Sequence, residues 1–303
     1  MTTLTKKRHH FVPIAYLDAF RNAGGRILVY RKDDPSTALP VKPAATAFEN
    51  YYYSQPTQDG GDDHNRLEDL FCTLEGDWPP IVKALQAREN VNAHLESIFE
   101  FILLQHVRVP ASRNATEARL AAEVRQLMTT MHANGQLPPM PLQLEGHLDN
   151  VVVSIDPHKS IHGMVDDIQA AHNVFDRIGL CVVHNRTKTP FLTSDNPVMW
   201  FDPTQQLENQ EPYGVRLDGP VQLVFPISPT MVLLGSPELK DDFGKHGLQY
   251  GEVFDEDWVF RVNLDVCRYA YAAVYASSPA WRSSLRLLQV NHPYGKVTTA
   301  PGD

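Results

Sequence analysis

Cysteine is scarce in this chain. Three residues out of 303, Cys72, Cys181 and Cys267, are widely spaced and form no C-x-x-C pair. That spacing excludes a disulfide framework and the usual structural zinc patterns, and it points to a reducing cytoplasm. Long apolar runs are missing as well. No stretch approaches the ~18 apolar residues of a membrane span, and none of signal-peptide length follows Lys6, Lys7 and Arg8. No membrane partner is expected. Positive charge is in deficit, with a formal net charge of −9, so a sequence-independent grip on nucleic acid lacks its basic stripe. A nucleic acid met only at a local cationic cleft stays open. Neither a G-x-S-x-G elbow nor a Gly-rich phosphate loop after a strand is present, which argues against a conventional serine hydrolase and a nucleotide cofactor.

What is present suffices for a substantial core: 43% of the residues are hydrophobic. The segment Arg8-His9-His10-Phe11-Val12-Pro13-Ile14-Ala15-Tyr16-Leu17 joins a doubled imidazole and a cation to an apolar frame. Pro13 fixes its own φ and biases Val12 to an extended backbone. Side chains of an extended segment alternate, so one imidazole enters a site while its neighbour braces the backbone. His10 is the preferred entrant.

Arg26–Arg31 reads as a strand, and Glu49–Tyr53, with its three tyrosines, as a half-buried one. Residues 66–89 are helical, interrupted at Trp78-Pro79-Pro80, and Glu68, Cys72 and Glu75 fall on one face. Two carboxylates on a stripe suit a divalent cation or an acid–base pair, and equally a solvated acidic face; Cys72 suggests that the stripe is semi-buried. The helix over 93–107 is apolar around most of its circumference and therefore buried. Gln105 and Arg108 stand at its end before Pro110. Arg108 either satisfies the last carbonyls or offers a fork to a carboxylate or phosphate.

A polar helix follows over 116–131, then a linker at 135–141 and a helix at 159–176 with His158, His162 and Asp166 at fourfold spacing. That spacing suits a metal, though no H-E-x-x-H base accompanies it. Beyond Arg177 the pattern turns to strands. Residues 178–183 and 190–193 read as one hairpin, Val221–Phe225 with Met231–Leu234 as another, and Trp258–Ala276 as a last helix with Asn263 as a cap. Thr193-Ser194-Asp195-Asn196-Pro197 ends a strand, and Asp195 there is either a ligand-binding carboxylate or part of a turn.

Taken together, His9-His10-Phe11-Val12-Pro13 with Tyr16, Leu17 and Phe20, the spaced Glu68 and Glu75, Gln105-x-x-Arg108-x-Pro110, Thr193 to Pro197, and Phe225-Pro226-Ile227-Ser228-Pro229 resemble the prokaryotic and fungal family called domain of unknown function 4238. The resemblance runs in order over about residues 8–276. Phe11 stands where that pattern favours tyrosine, and Ile14 and Ala15 where it favours bulkier or more polar residues. The resemblance implies a fold and no reaction, so function has to be argued from the site.

The expected architecture is α+β, a single domain over 1–303 with a helical layer at about 66–176 on a mostly antiparallel sheet. The expected site gathers His9, His10, Gln105, Arg108 and Asp195 as catalytic groups, with His10, Glu68, Glu75 and Asp195 as ligands of Mg, Mn or Zn. Such an inventory suits metal-assisted hydrolysis of phosphodiesters in a defence or toxin role. The alternatives are a non-catalytic binding module for an anionic small ligand and a purely structural buried polar network.

Overall fold

The computed structural model describes residues 5–137, 152–206, 209–210 and 219–279. The N-terminal part runs through β1 (Arg8–His10), α1 (Ile14–Leu17), β2 (Ile27–Arg31), β3 (Ala38–Val41), β4 (Phe48–Asn50), β5 (Gln55–Pro56) and β6 (Asp62–Asp63). Helices follow: α2 (Arg66–Glu75), α3 (Trp78–Gln86), α4 (Leu95–Val107), α5 (Pro110–Ala133) and α6 (Pro157–Phe175). The chain then returns to strands in β7 (Gly179–Asn185), β8 (Thr193–Ser194), β9 (Met199–Phe201), β10 (Gln222–Ser228) and β11 (Met231–Ser236). It closes with α7 (Lys240–His246), β12 (Gln249–Val253), α8 (Glu256–Tyr269) and β13 (Ala273–Ala276). This is an α+β fold. Among the described residues no helix is long and apolar enough to cross a membrane.

Proline sets several boundaries. Trp78-Pro79-Pro80 opens α3, with proline in the first turn, where its missing N–H costs nothing, rather than breaking a longer helix. Val109 is extended before Pro110, as the residue before a proline prefers, and α5 starts afresh there. Arg108 is thus pinned at a corner between two helices.

The strands form two principal sheets. One has the order β12-β7-β11-β10-β9 and the other β3-β2-β13-β8; both are antiparallel except where β12 runs parallel to β7. The β10–β11 hairpin forms as its pattern suggests. The expected hairpin of 178–183 with 190–193 does not, because β7 pairs with β11 and β12 while β8 pairs with β13 in the other sheet. The last helix also ends sooner than its apolar pattern suggests. It stops at Tyr269, and Ala273–Ala276 is a strand antiparallel to β2. Glu49–Tyr53 is likewise divided: only Phe48–Asn50 is strand, and a turn carries the tyrosines.

One apolar cluster reaches from Phe11, Tyr16 and Leu17 through the buried faces of α2, α3 and α4 to β7, β10 and β11. A second lies between α8 and the strands on either side of Phe191 and Leu192. Burial of such faces, at ~25 cal/mol per Å² of apolar surface, is the main force holding helices to sheets. Pro138–Pro141 of the expected linker lies outside the described residues, as do the side chains of His162 and Asp166.

Candidate functional site

The N-terminal strand pairs with β4 and is fastened to its surroundings by polar groups. His9 is fully buried: its Nδ1 accepts from the Tyr53 backbone N–H (2.8 Å), so the proton sits on Nε2, which donates to the Lys6 carbonyl (3.1 Å). Its ring also stacks on Tyr53 at 5.8 Å. Both nitrogens are therefore occupied, and desolvation holds its pKa below 6.5. His9 acts as a brace between the N-terminal segment and Tyr53. His10, turned to the other face by strand alternation, is half-buried and carries an Nε2 without a partner. Desolvation lowers its pKa too, aided by the charges of Arg108 and Arg8.

Arg108 is 1% exposed. One terminal nitrogen donates to a Glu75 carboxylate oxygen and the other to the His10 carbonyl. Its guanidinium lies 4.8 Å from the Phe71 ring centroid, and the Tyr53 hydroxyl donates to its backbone carbonyl (2.7 Å). The fork expected to hold an anionic ligand is thus occupied within the protein. It clamps β1, α2 and the α4–α5 corner together, which fixed planar geometry does well. Arg113 is similarly engaged: its guanidinium donates to Glu117, Ser160 and the Tyr52 carbonyl.

Glu68 stands two helical turns before Glu75 on the same stripe. It is 7% exposed, and its Oε1 has no partner. Desolvation raises its pKa to about 7; Glu75 adds to the rise, while Arg108 and Lys6 oppose it. A carboxyl that exchanges its proton near neutrality, beside a paired guanidinium, has the electrostatic character of an acid–base group. Gln105 is fully buried one turn before Arg108, and neither amide atom has a partner. Cys72, expected to mark a semi-buried stripe, is exposed. Lys6 covers that edge of α2 instead, pairing with Asp69 at 2.8 Å.

Asp195 serves a different cluster. One carboxylate oxygen accepts from the Tyr271 N–H (2.7 Å) and the other from those of Ala272 (2.7 Å) and Ala273 (2.9 Å). These three donors lead into β13, so Asp195 fastens the last strand to β8 and its oxygens are not directed at a ligand. Burial pushes its pKa up to about 6 despite those bonds. Asn196 and Asn263 act in the same way. Asn196 donates to the Tyr269 carbonyl (2.9 Å); Asn263 accepts from Leu192 N–H (2.8 Å) and donates to the Pro190 carbonyl (2.9 Å) from within α8, not from a cap.

His10, Glu68, Glu75 and Asp195 do not gather as metal ligands. Among the described residues no group of three or more His, Cys, Asp and Glu side chains is placed to hold an ion. The physical reasons are that Arg108 already neutralises Glu75 and backbone N–H groups fill Asp195.

Tyr16, which the sequence places only in an apolar frame, has a polar role as well. Its buried hydroxyl donates to the Pro226 carbonyl (2.5 Å) and so accepts from the Thr193 hydroxyl (2.6 Å), while its ring stacks on Phe225 at 5.3 Å. One phenol therefore joins the N-terminal segment to β8 and β10. A tyrosine one turn after a proline gave no local sign of this.

No curated protein and no solved structure matches the chain. A family model does, over residues 8–280, a span containing both polar clusters and every strand described above. The chain belongs to the family described as Protein of unknown function (DUF4238).

Proposed function

We propose that the protein is a hydrolase in which Glu68 transfers the proton. The observation that carries this reading is the buried Glu68 carboxyl with an unpartnered oxygen, set beside the Arg108–Glu75 pair. As a carboxylate, Glu68 takes a proton from an attacking water; as an acid, it returns one to the leaving oxygen. The half-buried His10 imidazole, whose ring packs 5.4 Å from that of Phe48, also carries an unpartnered nitrogen.

Phosphodiesters are the substrate class we put forward, in a nuclease with a defence or toxin role. Lys7 and Arg8 are exposed on the segment that leads into β1, giving the local cationic surface that a polyanion needs on an acidic protein. Added Mg, Mn or Zn would find a donor in the unpartnered Glu68 Oε1, with water completing its shell. A cytoplasmic setting accords with free thiols at Cys72, Cys181 and Cys267.

The test is turnover of bis(p-nitrophenyl) phosphate and of end-labelled single- and double-stranded DNA and RNA, with and without each metal. We expect cleavage that falls at least ~100-fold in Glu68→Gln. Cleavage that is absent under every condition, or unchanged in that variant, removes the proposal.

A further inference from the structure

A second chemical pair lies outside this cluster, in the loop that precedes α2. Strands β5 and β6 pair with Gln55 opposite Asp63. The next register position therefore sets Ser54 against His64, and the Ser54 hydroxyl lies 2.6 Å from His64 Nδ1. With the imidazole proton on Nε2, Nδ1 accepts from the serine, the relation of a hydroxyl nucleophile to its base.

Ser54 is itself buried, at 8% exposed, and His64 is half-buried, but two features of Tyr51 bear on the pair. The Tyr51 ring packs 4.6 Å from the His64 ring and is 42% exposed, so it orients the imidazole and leaves an aromatic shelf facing solvent. Tyr51 also adopts φ 59°, a left-handed backbone rare for an aromatic residue; it is held by its N–H to the Lys7 carbonyl (2.9 Å) and its carbonyl to the Ser54 N–H (3.1 Å). Strain of that kind persists only where surrounding bonds enforce it, and here it sets the turn that delivers Ser54. The G-x-S-x-G elbow is one way to present a serine; a strained turn beside a hairpin is another.

We propose that Ser54 and His64 form a nucleophile–base pair for acyl esters with an apolar acyl group, which rests against Tyr51. Ser54 Oγ bonds to the ester carbonyl carbon as its proton passes to His64 Nδ1. Collapse of the tetrahedral adduct breaks the bond to the leaving alcohol, which takes that proton. Water then attacks the acyl-serine with His64 again as base, releasing the carboxylic acid and restoring the hydroxyl. Neither residue belongs to the Glu68 cluster, so this pair stands or falls separately.

Intact-mass and peptide mapping after exposure to diisopropyl fluorophosphate tests it, since an activated serine hydroxyl displaces fluoride and keeps the phosphoryl group. One adduct at Ser54 is expected, absent in Ser54→Ala and forming at least ~100-fold more slowly in His64→Gln, with circular dichroism confirming that both variants fold. Should His64→Gln not fold, His64→Ala is read in its place, with the same slowing expected. No adduct, an adduct at another residue, or a rate indifferent to His64 makes the bond a hairpin brace and overturns the proposal.

Discussion

Replacing Arg108 with methionine lowers the unfolding free energy by about 3–5 kcal/mol in urea titrations at pH 7. Methionine fills part of the space but removes the guanidinium that lies over the Phe71 and Tyr53 rings, so what is lost is the cation and its bonds. Glu75, whose side chain is 16% exposed, loses the cation that neutralises it, and the His10 carbonyl loses its donor. The remaining partner is what makes the variant costly, because an uncompensated charge in a poorly solvated position is worse than an uncharged pair. Adding Glu75→Gln to Arg108→Met therefore restores part of the loss, with a coupling energy of about 1–3 kcal/mol across the four proteins. If the single variant costs under about 1 kcal/mol, Arg108 is not the clamp between β1 and the helices.

Asp195→Ala has an effect of comparable size for a different reason. Three backbone N–H groups, those of Tyr271, Ala272 and Ala273, lose their acceptor in a place that water does not readily reach. Each buried orphan costs about 1–3 kcal/mol, and partial relaxation of the turn brings the expected total to about 3–5 kcal/mol. Hydrogen exchange localises the damage: the amides of Tyr271, Ala272 and Ala273, and of β13 beyond them, lose protection before those of β10 and β11. Asp195→Asn retains one acceptor oxygen and falls between the two. A carboxylate held for a ligand would behave otherwise, since its removal would leave the strand's amides protected.

These two residues show what a sequence discloses and where it stops. The helical layer was legible because its stripes are local: Ile98, Ile102 and the surrounding apolar residues of α4 repeat at helical spacing, and the prolines at 79, 80 and 110 lie where helices begin. The alternation of His9 and His10 followed from the geometry of one short strand. The partnership of β8 with β13 joins residues about eighty positions apart and leaves no local mark. For the same reason Asp195 read equally well as a ligand or as part of a turn; the three N–H groups that decide the matter belong to a segment that reads as the end of a helix. Glu68 and Glu75 looked equivalent on their stripe. Only the approach of Arg108 from a different helix separates them, giving Glu75 a cation at bonding distance and leaving a Glu68 oxygen without a partner.

That separation is the centre of the functional reading, and the protonation of Glu68 measures it directly. In protein carrying carboxyl-¹³C glutamate, with Glu68→Gln to assign the signal, the Glu68 resonance is expected to titrate at about 7, well above the 4.5 of a solvated glutamate. Because the folded value exceeds the unfolded one, the linked stabilisation is complete below about 4.5 and is lost as pH rises through about 7. Wild-type protein therefore gains stability relative to Glu68→Gln on acidification across that window. A Glu68 resonance that titrates near 4.5 would contradict the account, since burial would then not set this carboxyl apart from a solvated one or poise it near neutrality.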